Sequence, residues 1–271
     1  MAALAQIPDA SVTRPALRYH GGKWRLAPWI IAQMPEHRVY VEPFGGAASV
    51  LMRKPRSRGE IYNERDGNIV NVFRVLRDHA KAEELRELLR LTPFARDEFE
   101  ASYEPPSSDV DGAWKTIVRS FMGFSTDATT RGCRTGFRTN KSSGKLPASE
   151  WASYADSIRV FTERLRGVVI ENRNAFDVIA SQDHADTLFF VDPPYLSSVR
   201  GHGQKHGYVH EFSDNDHRML ALLLRGLKGR VLLCGYWSRL YEELFGDWAF
   251  EDAQCFANGG HARTERIWRN F

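Results

Sequence analysis

The chain has 271 residues, 42% of them hydrophobic, enough for one large domain or a domain carrying a sizeable insertion. With 37 Lys and Arg against 34 Asp and Glu the formal charge is only +3, so a uniformly basic coat is excluded and local clusters of charge decide any contact with a polyanion. Cys133, Cys234 and Cys255 are too few and too scattered for a disulfide framework or a paired-cysteine metal site, and no apolar run approaches the roughly 18 residues of a membrane helix, so the expected setting is reducing cytoplasm.

Residues 1–16 read as a loose tail with neither a basic leader nor a long apolar segment. RVYVEPFGGAASVL (38–51) gives a short apolar strand, a glycine turn and the start of a helix of small residues, and GEIYNERDGN (59–68) gives a second strand. Ile69, Val72, Phe73 and Leu76 form one apolar helical face, and Leu85, Leu88 and Leu89 repeat the pattern until Pro93 stops it. From residue 92 the periodicity fades and SYEPPSSDVDG (102–112) is turn-rich, so 92–160 is read as an insertion between two parts of one α/β unit, 17–91 and 161–271. Regular signals resume with RGVVIENRN (166–174), TLFFVDPPY (187–195), a helix from about 214 to 227 and the strand RVLLCGY (230–236). Strands alternating with helices predict a mostly parallel, Rossmann-like sheet with helices on both faces.

In such a sheet ligands bind beyond the carboxyl ends of the strands, and the first end here is Glu42-Pro43-Phe44-Gly45-Gly46. Glycines let the backbone approach a ligand. Glu64 closes the second strand at the interval where a carboxylate meets ribose hydroxyls in nucleotide folds. An ordinary strand-to-helix turn with a surface acid would look similar.

DPPY (192–195) is more specific. The prolines end the strand and stiffen the backbone. The Asp192 carboxylate and the Pro193 carbonyl are then held as two acceptors, Pro194 fixes the turn, and Tyr195 offers a flat face beside them. Two acceptors next to an aromatic platform suit a planar amine.

In these segments the chain resembles the Dam-like adenine-specific DNA methyltransferases. RYHGGK (18–23), EPFGGAASV (42–50), NERDGN (63–68), DPPY, HGYVHEF (206–212), LLCGY (232–236) and RTERIWRN (263–270) stand in that family's order. The resemblance implies a Rossmann-like catalytic unit binding S-adenosyl-L-methionine, a mainly helical DNA-recognition insertion, and methyl transfer to the N6 amine of an adenine flipped out of double-stranded DNA. It implies that Tyr19, Gly22 and Lys23 hold the methionine portion, with Lys23 near its carboxylate. Glu42, Phe44, Gly46 and Asp192 would line the cofactor, Glu64 would take the ribose hydroxyls, and Asn174 or Phe176 would meet the cofactor's adenine. Two departures stand out: Ala48 where many members carry another glycine, and Glu64 where Asp is more usual. No metal is required.

Between Asp127 and Glu150 there is no acid, while Arg131, Arg134, Arg138, Lys141 and Lys145 recur among Gly, Ser and Thr. A solvated loop would explain this, as would contact with DNA; Arg134 and Arg138 suit base edges, Lys141 and Lys145 phosphates, and Arg200 joins the DNA-contacting candidates. His202, His206 and His210 recur every four residues, but Gly201, Gly203 and Gly207 oppose the helix that would align them, so a loop beside the site is expected rather than a metal centre. Methylation of another planar amine is disfavoured by Asp192 as the first residue of its motif, and a decayed DNA-binding module by the intact Lys23, Gly46, Asp192 and Tyr195.

Overall fold

A computed structural model describes residues 11–124, 133–139, 146–200, 209–256 and 262–271. Its centre is a seven-stranded sheet in the order β3-β2-β1-β4-β5-β7-β6. Strands β1 (Val39–Glu42), β2 (Gly59–Asn63), β3 (Val168–Glu171), β4 (Thr187–Val191) and β5 (Arg230–Gly235) run parallel. Strands β6 (Ala249–Phe256) and β7 (Ala262–Arg269) form an antiparallel pair, with β7 against β5. This closing pair adds an antiparallel edge to the expected parallel pattern.

Alternate residues of each strand enter opposite cores, as a period of two requires. Tyr40, Leu188, Phe190 and Leu232 face one apolar cluster; Val41, Phe189, Val191 and Val231 face the other. All five residues of β4 are buried, which is why TLFFV reads as an unbroken apolar run.

The first core is covered by α1 (Ala27–Ala32), α2 (Ser49–Arg53), α3 (Gly67–Arg77), α4 (His79–Leu91), α5 (Arg96–Ala101), α6 (Asp109–Met122), α7 (Pro147–Ala152) and α8 (Ile158–Leu165). The second is covered by α9 (Ala175–Ser181), α10 (Asp214–Arg225) and α11 (Arg239–Phe245). Asp78 separates α3 from α4 by accepting from the backbone of Ala80 and Lys81, capping the second helix.

Residues 92–160 are not a detached unit. Ile117 and Phe121 of α6 share one core with Leu76, Leu85 and Phe161. The backbone N–H of Arg18 donates to Ser120 Oγ at 2.7 Å, and the Tyr154 hydroxyl donates to the Ala16 carbonyl at 2.6 Å. The region therefore also anchors the segment that begins RYHGGK.

From β1 the chain steps outward to β2 and β3; from β4 it steps the other way to β5. The crevice lies where that direction reverses. Val41 pairs with Phe189, so EPFGG and DPPY leave the sheet side by side.

Candidate active site

A cleft of about 1210 Å³, its open mouth included, occupies that crevice. Gly45 passes so close to Tyr62 that a Cβ there would lie 2.2 Å from the ring. Gly46 adopts φ +48°, and a Cβ would lie 2.8 Å from the Tyr19 ring. The Tyr62 hydroxyl donates to the Gly46 carbonyl at 2.7 Å, and the Gly46 N–H donates to Glu64 Oε2 at 2.9 Å. Glu64 Oε1 accepts from the N–H groups of Arg65 and Asp66. Burial pushes the Glu64 carboxyl upward, against the opposing pull of these donors. Ala48 has φ 52°, the left-handed region that favours glycine.

Tyr19, Gly22, Phe44, Asn174 and Phe176 all line this cleft. Gly22 donates its N–H to the Tyr19 carbonyl at 3.2 Å. Phe212 meets Phe44 edge-on at 5.7 Å and lies nearly parallel to Phe176 at 6.0 Å. Asn174 Oδ1 accepts from the Phe176 N–H and so caps α9. Glu42 also lines the cleft; its Oε2 accepts from Leu51 N–H and the Tyr40 hydroxyl. Burial lifts its carboxyl to about 8, leaving it largely protonated at neutral pH.

Asp192 follows β4. Its Oδ2 is 2.7 Å from Lys23 Nζ, while its Oδ1 is buried with no hydrogen-bond partner among the described residues. Burial lifts the carboxyl to about 6; Lys23 opposes that shift and Glu265 adds to it. Lys23 Nζ also donates to the Gly21 carbonyl at 2.8 Å and lies 3.7 Å from Glu265 Oε1. Burial alone would depress the ammonium, but Asp192 and Glu265 outweigh it and hold its pKa well above the usual value. Lys23 lines the cleft and its charge faces Asp192, because carboxylates withdrawn from water require a counter-ion. Asp192, Cys234 and Glu265 place ligand atoms within 4.8 Å of one another, and the Lys23 ammonium supplies the positive charge there.

Tyr195 is buried beside the pair of Lys23 and Asp192. Its hydroxyl donates to Glu265, the Lys23 ammonium lies 4.9 Å from its ring centroid, and Tyr236 meets the ring edge-on at 4.8 Å. A buried phenol needs a partner, and Glu265 supplies it, while Pro193 and Pro194 line the cleft. Cys234 Sγ lies 3.2 Å from Glu265 Oε1, and burial raises its pKa well above the usual thiol value, so it is an inert thiol.

The sequence profile of the D12 class N6 adenine-specific DNA methyltransferases matches residues 19–253. The chain belongs to that family. None of the curated proteins matches it. Among solved structures it is similar to the Escherichia coli protein yhhF, assigned as a methyltransferase, at 11% identity over 90% of this chain and 81% of that one, with a TM-score of 0.31.

The methyltransferase departs from expectation at its basic residues. Arg138 is buried, with Nη2 3.0 Å from Glu150 Oε2 and its N–H donating to the Met122 carbonyl, so it ties 133–139 to α6 and α7 instead of facing DNA. Arg200 is likewise engaged: its guanidinium donates to the Tyr195 carbonyl and lies 2.8 Å from Glu211. In both cases nearby carbonyl and carboxylate acceptors satisfy a guanidinium that the sequence leaves apparently free. Arg134 remains on the surface, 3.4 Å from Glu100 and over the Tyr103 ring. Arg131, Lys141, Lys145, His202 and His206 lie outside the described residues; His210 lines the cleft.

Two buried residues behind this methyltransferase's cleft escape sequence reasoning. Glu265 stands inside RTERIWRN, but no local pattern pairs it with residue 23 or 195. His217 of α10 shares a hydrogen bond of 3.0 Å between Nδ1 and the Tyr241 hydroxyl, and burial lowers its pKa to about 4. Among the described residues no helix is long and apolar enough to cross a membrane.

Proposed function

We propose that the protein transfers a methyl group from S-adenosyl-L-methionine to the exocyclic N6 amine of an adenine flipped out of duplex DNA. The cleft residues fit that cofactor. Glu64 offers carboxylate oxygens for ribose hydroxyls, Phe44, Phe176 and Phe212 offer ring surfaces for adenine, and the backbone at Gly46 allows close approach. When bound, the cofactor supplies an electron-poor methyl group on a positively charged sulfur.

The chain's own residues then have a limited task. Adenine's amine lone pair is delocalised into the ring, so the nitrogen is a poor nucleophile until its hydrogens are held by acceptors that favour a more tetrahedral geometry. Asp192 and the Pro193 carbonyl provide two acceptors on a stiff backbone, which makes the catalysis positioning and electrostatics. The nitrogen gains a methyl and sheds a proton; the Asp192 carboxyl, lifted to about 6, is suited to take it. A base stacked in a duplex does not reach the cleft floor, so the target is flipped at a cost of a few kcal/mol. Arg134 and its neighbours are proposed as part of the DNA-recognition surface.

The observation that carries this reading is the buried Asp192 Oδ1 without a partner, beside the cleft. An unmatched acceptor costs about 1 to 3 kcal/mol, a cost repaid when an N–H donor arrives. The test is to express the chain in a host lacking adenine methylation and sequence its DNA for N6-methyladenine. Methylated adenines at a defined site are expected, lost in Asp192→Ala with cofactor affinity largely intact. Unmethylated DNA from an active-concentration preparation overturns the reading, and equal loss of methylation and cofactor binding moves Asp192 to the cofactor.

A further inference from the structure

The cluster beneath DPPY contains one more carboxylate than the transfer uses. Glu265 is 3% exposed and is carried by β7, next to the stretch paired with Cys234 and Gly235 of β5. Its Oε1 accepts from the Tyr195 hydroxyl and lies 3.2 Å from Cys234 Sγ. Lys23 Nζ stands 2.7 Å from Asp192 Oδ2 and 3.7 Å from Glu265 Oε1, bonded to one carboxylate and just short of the other. An amine that donates to Asp192 Oδ1, the oxygen without a partner among the described residues, draws on the charge that holds Lys23 at Oδ2, and the proton it then gives to this carboxyl removes that charge. Leaving a buried ammonium without a partner would be costly, so Lys23 needs a second acceptor within a small movement.

We propose that Glu265 is a positioning residue that receives Lys23 as the target amine engages Asp192, so that the ammonium passes from one carboxylate to the other while Glu265 also fixes the Tyr195 hydroxyl. This rests on the methyl-transfer reading. No covalent change is involved; one ion pair lengthens as another shortens. Glu265 acts through Lys23 and Tyr195 and does not touch the transferred group.

The pH profile separates this role from a merely structural one. The groups that act on Asp192 are Lys23, Glu265, Tyr195, Cys234, Glu42 and Tyr241. Of these, Glu265 pushes the Asp192 carboxyl upward, so removing its charge lowers the pH at which Asp192 becomes an acceptor. It also strengthens the hold of Lys23 on Asp192.

The experiment compares the full-length wild type with Glu265→Gln and Glu265→Asp in steady-state methylation of the cognate DNA across pH, with melting temperatures alongside. In Glu265→Gln the amide oxygen still accepts from Tyr195. Its kcat should fall by at least about tenfold with little change in KM for DNA or cofactor, and the acid limb of kcat/KM should move to lower pH. Glu265→Asp keeps the charge, so its acid limb should stay at the wild-type position and part of kcat should return. An unmoved acid limb in Glu265→Gln, or Glu265→Asp behaving as Glu265→Gln does, overturns the handover even if both variants are slow. Should Glu265→Gln fail to fold, the Glu265→Asp profile decides: a displaced acid limb or unrecovered kcat in a folded protein sinks the proposal. A wild type that transfers no methyl overturns the parent reading, and the handover with it.

Discussion

Gly46 and Glu64, 18 residues apart, are joined by a 2.9 Å hydrogen bond from the Gly46 N–H to Glu64 Oε2. The bond fixes the carboxylate at the rim of the cleft with the turn that follows β1. Glu64→Ala removes the partner of a backbone donor and, on the proposed cofactor reading, the acceptor for a ribose hydroxyl. Cofactor affinity should fall by about 1 to 3 kcal/mol in calorimetric titration. DNA affinity without cofactor should be unchanged; an equal fall in both would mean that the turn had collapsed.

Ala48 occupies a left-handed conformation, φ 52° and ψ 35°, with its methyl fully buried. Glycine there would relieve about 1 to 2 kcal/mol of backbone strain, but would lose about 0.8 kcal/mol of methyl burial and about 0.5 to 1 kcal/mol to unfolded-chain entropy. Ala48→Gly should therefore leave stability within about 0.5 kcal/mol of wild type by urea denaturation. Ala48→Val, β-branched at positive φ in a filled core, should cost about 2 kcal/mol or more. A large gain for the glycine would show that the conformational strain dominates.

The parallel strands and the ends that carry EPFGG and DPPY are legible in the sequence because burial on both faces and glycine or proline punctuation are local signals. The pairing of β5 with β7 is not, since it joins residues far apart in the chain. The same distance conceals Glu265 from Lys23 and Tyr195. Basic residues mislead for a related reason: Arg138 and Arg200 look solvated in a stretch poor in acids, yet Glu150, Glu211 and two backbone carbonyls meet them once the chain is folded. Local composition reports charge, whereas long-range packing decides whether that charge is free.

Arg138 and Arg134 should separate in their effects. Arg138→Ala removes the buried guanidinium that meets Glu150 and the Phe121 carbonyl, and should cost about 1 to 3 kcal/mol of stability without altering the salt dependence of DNA binding. Arg134→Ala, at a surface ion pair with Glu100, should cost at most about 1 kcal/mol of stability. If Arg134 contacts phosphate, the slope of log affinity against log salt should fall by about one. Melting curves and binding titrations at several salt concentrations test both, and an unchanged slope for Arg134→Ala would remove it from the DNA surface.

Two buried groups set opposite pH limits on stability. His217 is lowered from 6.5 to about 4 by burial, so in the folded state it resists protonation. Its contribution is fully present above about pH 6.5 and is lost as pH falls toward 4. Glu42 is raised from 4.5 to about 8, again by burial. Its contribution is full below about pH 4.5 and is lost as pH rises through 8. The two windows overlap between about pH 4.5 and 6.5, where the effects oppose, so melting temperature should be nearly level there, fall as pH drops below about 4.5, fall as pH rises from about 6.5 to about 8, and level off beyond. Glu42→Gln keeps a side-chain carbonyl to accept from Leu51 and Tyr40 but cannot ionise, so it should remove the decline between about pH 6.5 and 8 and extend the acid decline up to about pH 6.5. His217→Gln should remove the acid decline, with a constant offset from the altered packing against Tyr241. Melting curves of the three proteins between about pH 4 and pH 9 decide the matter: a decline toward pH 8 that persists unchanged in Glu42→Gln would assign it to other groups.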